Sequence, residues 1–312
     1  MLGYALHRLK GLGFIALFVT FFSFCLMKLA PGDPALILLQ QRDTPADPVS
    51  LQAARQELGL DRPFLLQYGS WLFKVLQGDL GSSYYARVSV SREIRRAFPV
   101  TLQLAASALA SALLAALTLG ILAARRDGGP ADLLTRLLSV LGTCIPSFWL
   151  GLALMFLFAV KLDLLPAVGK EGWQSFILPT AALAFGPAVF HARILDASLK
   201  ETAEEDYVLF ARSKGLSEWE ILLRHRLKPS LIPTITSLGI TAGMMLGGTV
   251  IVENIFAWPG MGTLVVEAIF NRDFPMVQGY VLVMAAVYTG VNLCTDLLCA
   301  FLDPRIRVGA RP

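Results

Sequence analysis

Long uncharged apolar blocks constrain this chain more than any other feature. Six stand out: Gly11 to Met27, Phe98 to Ala124, Leu137 to Val160, Gly172 to Ala192, Pro229 to Val252 and Phe274 to Thr295. A bilayer core about 30 Å thick is crossed by about 20 apolar residues at 1.5 Å rise each, so blocks of this length read as membrane helices. Composition agrees, since 16% of the 312 residues are charged against about 25% in soluble domains. The blocks predict an all-α membrane protein of six transmembrane helices. The expected partition is an N-terminus and first helix over 1–30, an outer helical cap over 31–97 and a membrane core over 98–312. Within the core, spans are expected over 98–124, 137–160, 172–195, 229–252 and 274–302, with an inside loop over 196–228.

Arg8 and Lys10 precede the first block as they would in a secretory signal, but Lys28-Leu29-Ala30-Pro31 does not resemble a small-x-small cleavage site, so the block reads as a retained helix. Short cytoplasmic loops keep Lys and Arg. Alternating the six spans from an inside N-terminus places fifteen Lys and Arg on one side and three, Lys161, Lys170 and Arg272, in the short loops of the other. Both termini are therefore expected in the cytoplasm. Cys25, Cys144, Cys294 and Cys299 fall in or beside the blocks, where cysteine behaves as a small apolar residue. The chain has no G-x-x-x-x-G-K-[ST] phosphate loop, no H-E-x-x-H and no G-x-S-x-G, so ATP binding by that loop and two hydrolase chemistries lack their central residues.

The outer segment carries helical texture. Leu51, Ala54, Leu58 and Leu60 recur after a candidate cap at Ser50, and an amphipathic stretch runs from Pro63 to Leu76. Its aromatics, among them Phe64, Tyr68, Trp71 and Phe73, are too many for a solvated tether. Pro146, Pro179 and Pro187 lie inside the third and fourth blocks, either as kinks along a pathway or as packing irregularities.

The inside loop is the informative one. From Leu199 it reads LKETAEEDYVLFARSKGLSEWEILLRHRLKPSLIP. Acidic residues lead, Gly215 ends a first helix, and Ser217 caps a second with Glu220 at the capping-box position. A bare crossing needs only a few residues, so two capped helices are either a docking device or charged helices resting on the membrane surface.

These residues resemble a family. Asp206-Tyr207-Val208, Ala211 through Ser217, Arg224-His225 and Leu231-Ile232-Pro233 look like the coupling segment of inner-membrane permeases of bacterial ABC importers, in the dipeptide, oligopeptide and nickel branch. Of the general Glu-Ala-Ala, three residues, Gly signature, Ala211 and Gly215 match. The resemblance continues in Leu29 to Pro34, Leu58 to Pro63 with Gln67-Tyr68, Gly78 to Tyr84, Gly247-Gly248, Glu253 to Gly262, Asn271 to Pro275 and Asp296 to Arg307. It implies a type I importer permease fold and a non-catalytic subunit that works by alternating access in the bacterial inner membrane. It also implies a second homologous permease, two ABC ATPase subunits holding ATP and Mg, an extracytoplasmic substrate-binding protein and membrane lipid as partners, with no nucleic acid. The coupling residues it implies are Asp206, Tyr207, Ala211, Arg212, Lys214, Gly215, Leu216, Ser217 and His225.

Polar groups within membrane blocks face a cavity or a neighbour. Thr241, Asn292 and Asp296 are candidates for the pathway, with packing or snorkelling as the alternative for each, and Glu253 and Asn254 stand at the outer end of the fifth helix, where a gate or a docked binding protein would meet them. Glu253 to Gly260 and Ala268 to Asp273 look closer to nickel permeases than to dipeptide ones. His7, His191 and His225 form no cluster for a resident metal, so nickel is expected to cross as a chelate, with dipeptides or oligopeptides as the alternative cargo. An ion-driven secondary transporter and a non-transporting scaffold are the remaining alternatives.

Overall fold

The computed structural model describes residues 2–29 and 32–302; Ala30-Pro31 and the ending from Asp303 through Arg307, both parts of the motifs above, lie outside the described residues. Thirteen α-helices form among them: α1 (Leu2–Leu29), α2 (Pro34–Gln41), α3 (Pro48–Glu57), α4 (Phe64–Leu76), α5 (Val90–Ala124), α6 (Pro130–Cys144), α7 (Ser147–Leu154), α8 (Ile177–Thr202), α9 (Asp206–Ser213), α10 (Glu218–Ile221), α11 (Leu227–Ile255), α12 (Met261–Phe270) and α13 (Phe274–Leu302). The expected all-α membrane architecture is present. Four helical stretches among the described residues are long and apolar enough to cross a membrane: Val90–Ala124, Gln174–Thr202, Glu218–Ile255 and Phe274–Cys299.

The third block differs from its expected form. Instead of one helix over 137–160, α6 and the helix from Ser147 to Lys161 meet at 104°. Ile145 is extended, with ψ 115°, and Pro146 follows it. A residue before proline is pushed out of the helical region, and the proline cannot donate to the preceding turn, so this helix breaks. Pro187, by contrast, sits inside a continuous α8.

The described residues divide into two compact units, one up to Val100 together with Pro259–Thr289, the other Thr101–Trp258 together with residues from Gly290 onward. In the first, Ala35, Leu38, Leu39 and Ala54 form a small core packed by Leu51, Leu58, Leu60 and Tyr84. The cap of α3 is Asp47 rather than Ser50: its Oδ1 accepts from the Val49 and Ser50 N–H groups, both at 3.0 Å. Pro48 at the first helical position, which needs no N–H there, places the boundary earlier than the serine suggested. A second core gathers Val90, Ile94, Ala97, Met261, Ala268 and Met276. Asp273 joins two of the sequence motifs, accepting from Ser83 Oγ and, at 3.1 Å, from the Tyr84 N–H.

In the second unit α8 is the central helix. Ser107 Oγ and Thr180 Oγ1 lie 2.8 Å apart, tying α5 to α8. A Cβ at Gly142 would overlap Val189, and one at Gly120 would lie 2.9 Å from the Ala192 carbonyl, so these glycines set the close approach of α6 and α5 to α8. Gly239 serves α11 in the same way: its Cβ would overlap Thr295 of α13. Small residues therefore pack helices here.

Candidate functional site

The segment between α8 and α11 folds as two helices around a tight turn. Lys214 ends α9, and Gly215 takes φ +80°, a left-handed conformation that costs an L-residue about 1–2 kcal/mol. Ser217 then caps α10, its Oγ accepting from the Glu220 N–H at 3.3 Å. Only half of the expected capping box forms, because the Glu220 carboxylate pairs with Arg224 at 2.8 Å. The hairpin has its own core of Val208, Ala211 and Ile221, against which Leu216 packs. Arg212 clamps it from outside, with Nε 2.7 Å from Glu218 Oε1 and Nη2 3.2 Å from Oε2. That pairing pushes the guanidinium further above its usual range.

The hairpin is bolted to both helices it connects. Arg226, buried, donates from Nε and Nη2 to the Leu199 carbonyl at 3.2 and 2.6 Å. Thr202 Oγ1 and Ser230 Oγ lie 2.9 Å apart. These bonds fasten the hairpin to the end of α8 and the start of α11. A few residues away, buried Asp132 accepts from Arg136 Nη2 at 2.7 Å, from Lys200 Nζ at 3.3 Å and from the Gly128 N–H at 2.9 Å, while Lys200 also reaches Asp196 at 3.0 Å. These contacts tie α6 to α8 at the same end.

The hairpin leaves large apolar side chains in the open. Phe210 is 60% exposed, Leu209 52% and Trp219 48%. Lys214 Nζ lies 4.5 Å from the Phe210 ring centre, and the Arg125 guanidinium 5.2 Å from that of Trp219. Tyr207 is also exposed, its phenol pushed up first by burial and then by Glu205. Of the residues singled out from sequence, Asp206, Arg212, Lys214, Gly215 and Ser217 are exposed, Leu216 and His225 are half-buried, and Ala211 is buried in the hairpin core. Sequence reasoning passed over Leu209, Phe210, Trp219 and Arg226. The signal was there: Val208 and Ala211 share one face of α9, which leaves Leu209 and Phe210 facing away.

The candidate pathway residues separate into distinct settings. Thr241 Oγ1 lies 3.0 Å from His191 Nε2, linking α11 to α8. Glu253 is fully buried and accepts from Thr101 Oγ1 at 2.6 Å. Near it the Trp258 N–H donates to the Glu253 carbonyl at 2.7 Å, and the Trp258 ring meets Phe176 edge-on at 4.7 Å. Asn254 is exposed and bonds back to the Val250 carbonyl at 2.8 Å, while Asn292 and Asp296 are half-buried on α13. Among the described residues no group of three His, Cys, Asp or Glu is placed to hold a metal ion.

Comparison with known proteins decides what kind of molecule this is. The model of the binding-protein-dependent transport system inner membrane component matches residues 116–308, and that of its N-terminal region matches residues 1–105. The chain belongs to this permease family. The permease is similar to the glutathione transport system permease protein GsiC of Salmonella paratyphi A, at 39% identity over 98% of this chain and 99% of the relative, and to that of Escherichia coli K12 at 36% over the same shares. In fold it is similar to an amino acid ABC transporter solved with histidines, with TM-score 0.52 and 19% identity over 69% of this chain and 94% of that one. It is also similar to the inward-facing MetNI methionine ABC transporter, with TM-score 0.54 and 16% identity over 67% and 96%. It is a permease subunit of an ABC importer in the inner membrane and not an enzyme; ATP is used by partner ATPase subunits, and a substrate-binding protein delivers the cargo.

Proposed function

We propose that this permease imports short peptides, and that the α9–α10 hairpin is where the ATPase drives it. The single observation carrying the second part is the exposed Phe210 and Trp219 on a hairpin whose other side is fastened to α8 and α11 through Arg226 and Ser230. A surface helix without a partner would turn polar side chains outward. Asp206, Tyr207, Arg212, Lys214, Gly215, Ser217 and His225 belong to this docking surface, with Ala211 and Leu216 forming its interior.

The cargo reading moves from nickel toward peptides. Glutathione is a tripeptide, and relatives that match along almost the whole chain include glutathione permeases. That favours the peptide alternative over a nickel chelate.

Six crossings are proposed, by α1, α5, the bent α6–α7 pair, α8, α11 and α13, with both termini cytoplasmic as the distribution of Lys and Arg indicates. A second, related permease completes the pathway, and two ATPases seat the two hairpins. ATP-driven closure at α9 and α10 then reorients α8 and α11, opening one side as the other closes. Glu253 with Thr101, and Thr241 with His191, are candidate gate and pathway contacts in that movement. Uptake by the assembled importer in vesicles, with labelled glutathione, a dipeptide series and nickel–histidine chelates offered together with the binding protein, tests the cargo. Peptide uptake that unlabelled peptides compete away is expected; nickel uptake indifferent to peptides would overturn it.

A further inference from the structure

Helix α4 does not behave as part of an aqueous cap. It is 13 residues long, FLLQYGSWLFKVL, with Lys74 its one charge and no buried residue. An apolar helix of 10–14 residues is characteristically either buried in a core or lodged at a membrane interface, and α4 is not buried. Its packing side, Phe64, Tyr68 and Trp71, lies on α1. Phe24 meets all three rings, with centres 5.4–5.7 Å apart, Phe21 meets Phe64 and Tyr68, and Thr20 Oγ1 lies 3.0 Å from Tyr68 Oη.

These contacts fix how deep α4 sits. Lys28 closes the apolar block of α1, and at 1.5 Å per residue Phe24 lies about 6 Å and Thr20 about 12 Å inside it. The opposite side of α4 is apolar and open: Leu65, Leu66, Phe73 and Leu76 are all exposed. At 3.6 residues per turn they fall in an arc of about 100°, and Phe18 and Phe22 of α1 are exposed as well.

We infer that α4 is inserted in the outer leaflet of the bilayer, with Leu65, Leu66, Phe73 and Leu76 against lipid acyl chains. This rests on α1 being the first membrane span. The helix anchors the outer segment to the membrane.

The test uses the assembled importer in phosphatidylethanolamine–phosphatidylglycerol vesicles, with Cys25, Cys144, Cys294 and Cys299 replaced by serine. Spin labels are placed at single cysteines substituted for Leu66 and Phe73, with Leu65 and Leu76 as a second pair should the first fail to assemble. Val49 of α3 and Phe18 of α1 are the references. Several-fold higher relaxation by oxygen than by aqueous chromium oxalate is expected on α4 and at Phe18, with the reverse at Val49. Chromium oxalate reaching α4 while Phe18 stays shielded would overturn the insertion alone. Access at Phe18 as well would overturn the assignment of α1 beneath it. Labels on α4 shielded from both reagents would show a protein in place of lipid and overturn the inference equally.

Discussion

Arg212 and Glu218 close the turn between α9 and α10 with two hydrogen bonds, at 2.7 and 3.2 Å, across the left-handed Gly215. The pair fixes the angle at which the two helices leave the turn, and with it the spacing of Phe210 and Trp219. Both side chains are exposed, and such pairs contribute about 0.2–1 kcal/mol. Glu218→Arg should therefore leave assembly intact and slow ATP-driven uptake by up to about fivefold, since 1.4 kcal/mol corresponds to tenfold. The exchange Arg212→Glu with Glu218→Arg should restore it in the same vesicle assay.

Gly215 has no neighbour within 4 Å of a Cβ, so its requirement is conformational and not steric. Gly215→Ala should cost about 1–2 kcal/mol locally and reduce uptake modestly. Gly215→Pro, with φ locked near −65°, should abolish coupling while the permease still inserts and binds its partner permease, as read by co-purification.

Interior and surface of the hairpin should respond differently. Ile221→Ala removes a fully buried side chain from the small core and should cost about 2–5 kcal/mol, exposing the segment to protease. Phe210→Ala should leave protease resistance unchanged and still weaken ATPase association. Equal protease sensitivity in both would place Phe210 in the core and not on the docking surface.

At the other end of α11, the Glu253–Thr101 bond joins α5 to α11 in a fully buried setting. Thr101→Val leaves an acceptor on Glu253 without this donor, which costs about 1–3 kcal/mol. The thermal midpoint of the purified complex should fall, and Thr101→Ser should recover most of the loss.

The outer segment should loosen in acid. Arg55, bonded to Asp33 at 2.6 Å, holds that carboxyl below its usual range, and Arg42 does the same for Glu57. A carboxyl depressed in the folded state contributes stability above its unfolded pKa near 4, and the contribution is lost as pH falls through the folded value. Proteolysis between α2 and α3 should rise below about pH 4, and Arg55→Ala should flatten that dependence.

The long apolar helices, the outer helices and the hairpin were legible because each is written locally: apolar runs for the long helices, Gly215 and Ser217 for a stop and a start, although the start of α3 at Pro48 was passed over in favour of Ser50. Three features were not. Pro146 marks a break by its own chemistry, but the 104° at which the two helices meet across it is not written in the local sequence. Asp132 and Lys200 are 68 residues apart and read as ordinary loop charges until α6 and α8 are brought together. Phe210 was hidden by attention to the polar residues around it. The family signature lies on Ala211 and Gly215, which form the hairpin's interior and its turn, while the exposed surface is made by their neighbours.

The coupling assignment is tested most directly by photo-crosslinking. With benzoylphenylalanine in place of Phe210, and Leu114, an exposed residue of the apolar α5, as the reference position, irradiation of the assembled importer should yield an adduct with the ATPase subunit from position 210 and none from position 114. An adduct from position 210 with lipid alone, and no ATPase adduct in any nucleotide state, would show that the hairpin rests on the membrane and that coupling lies elsewhere.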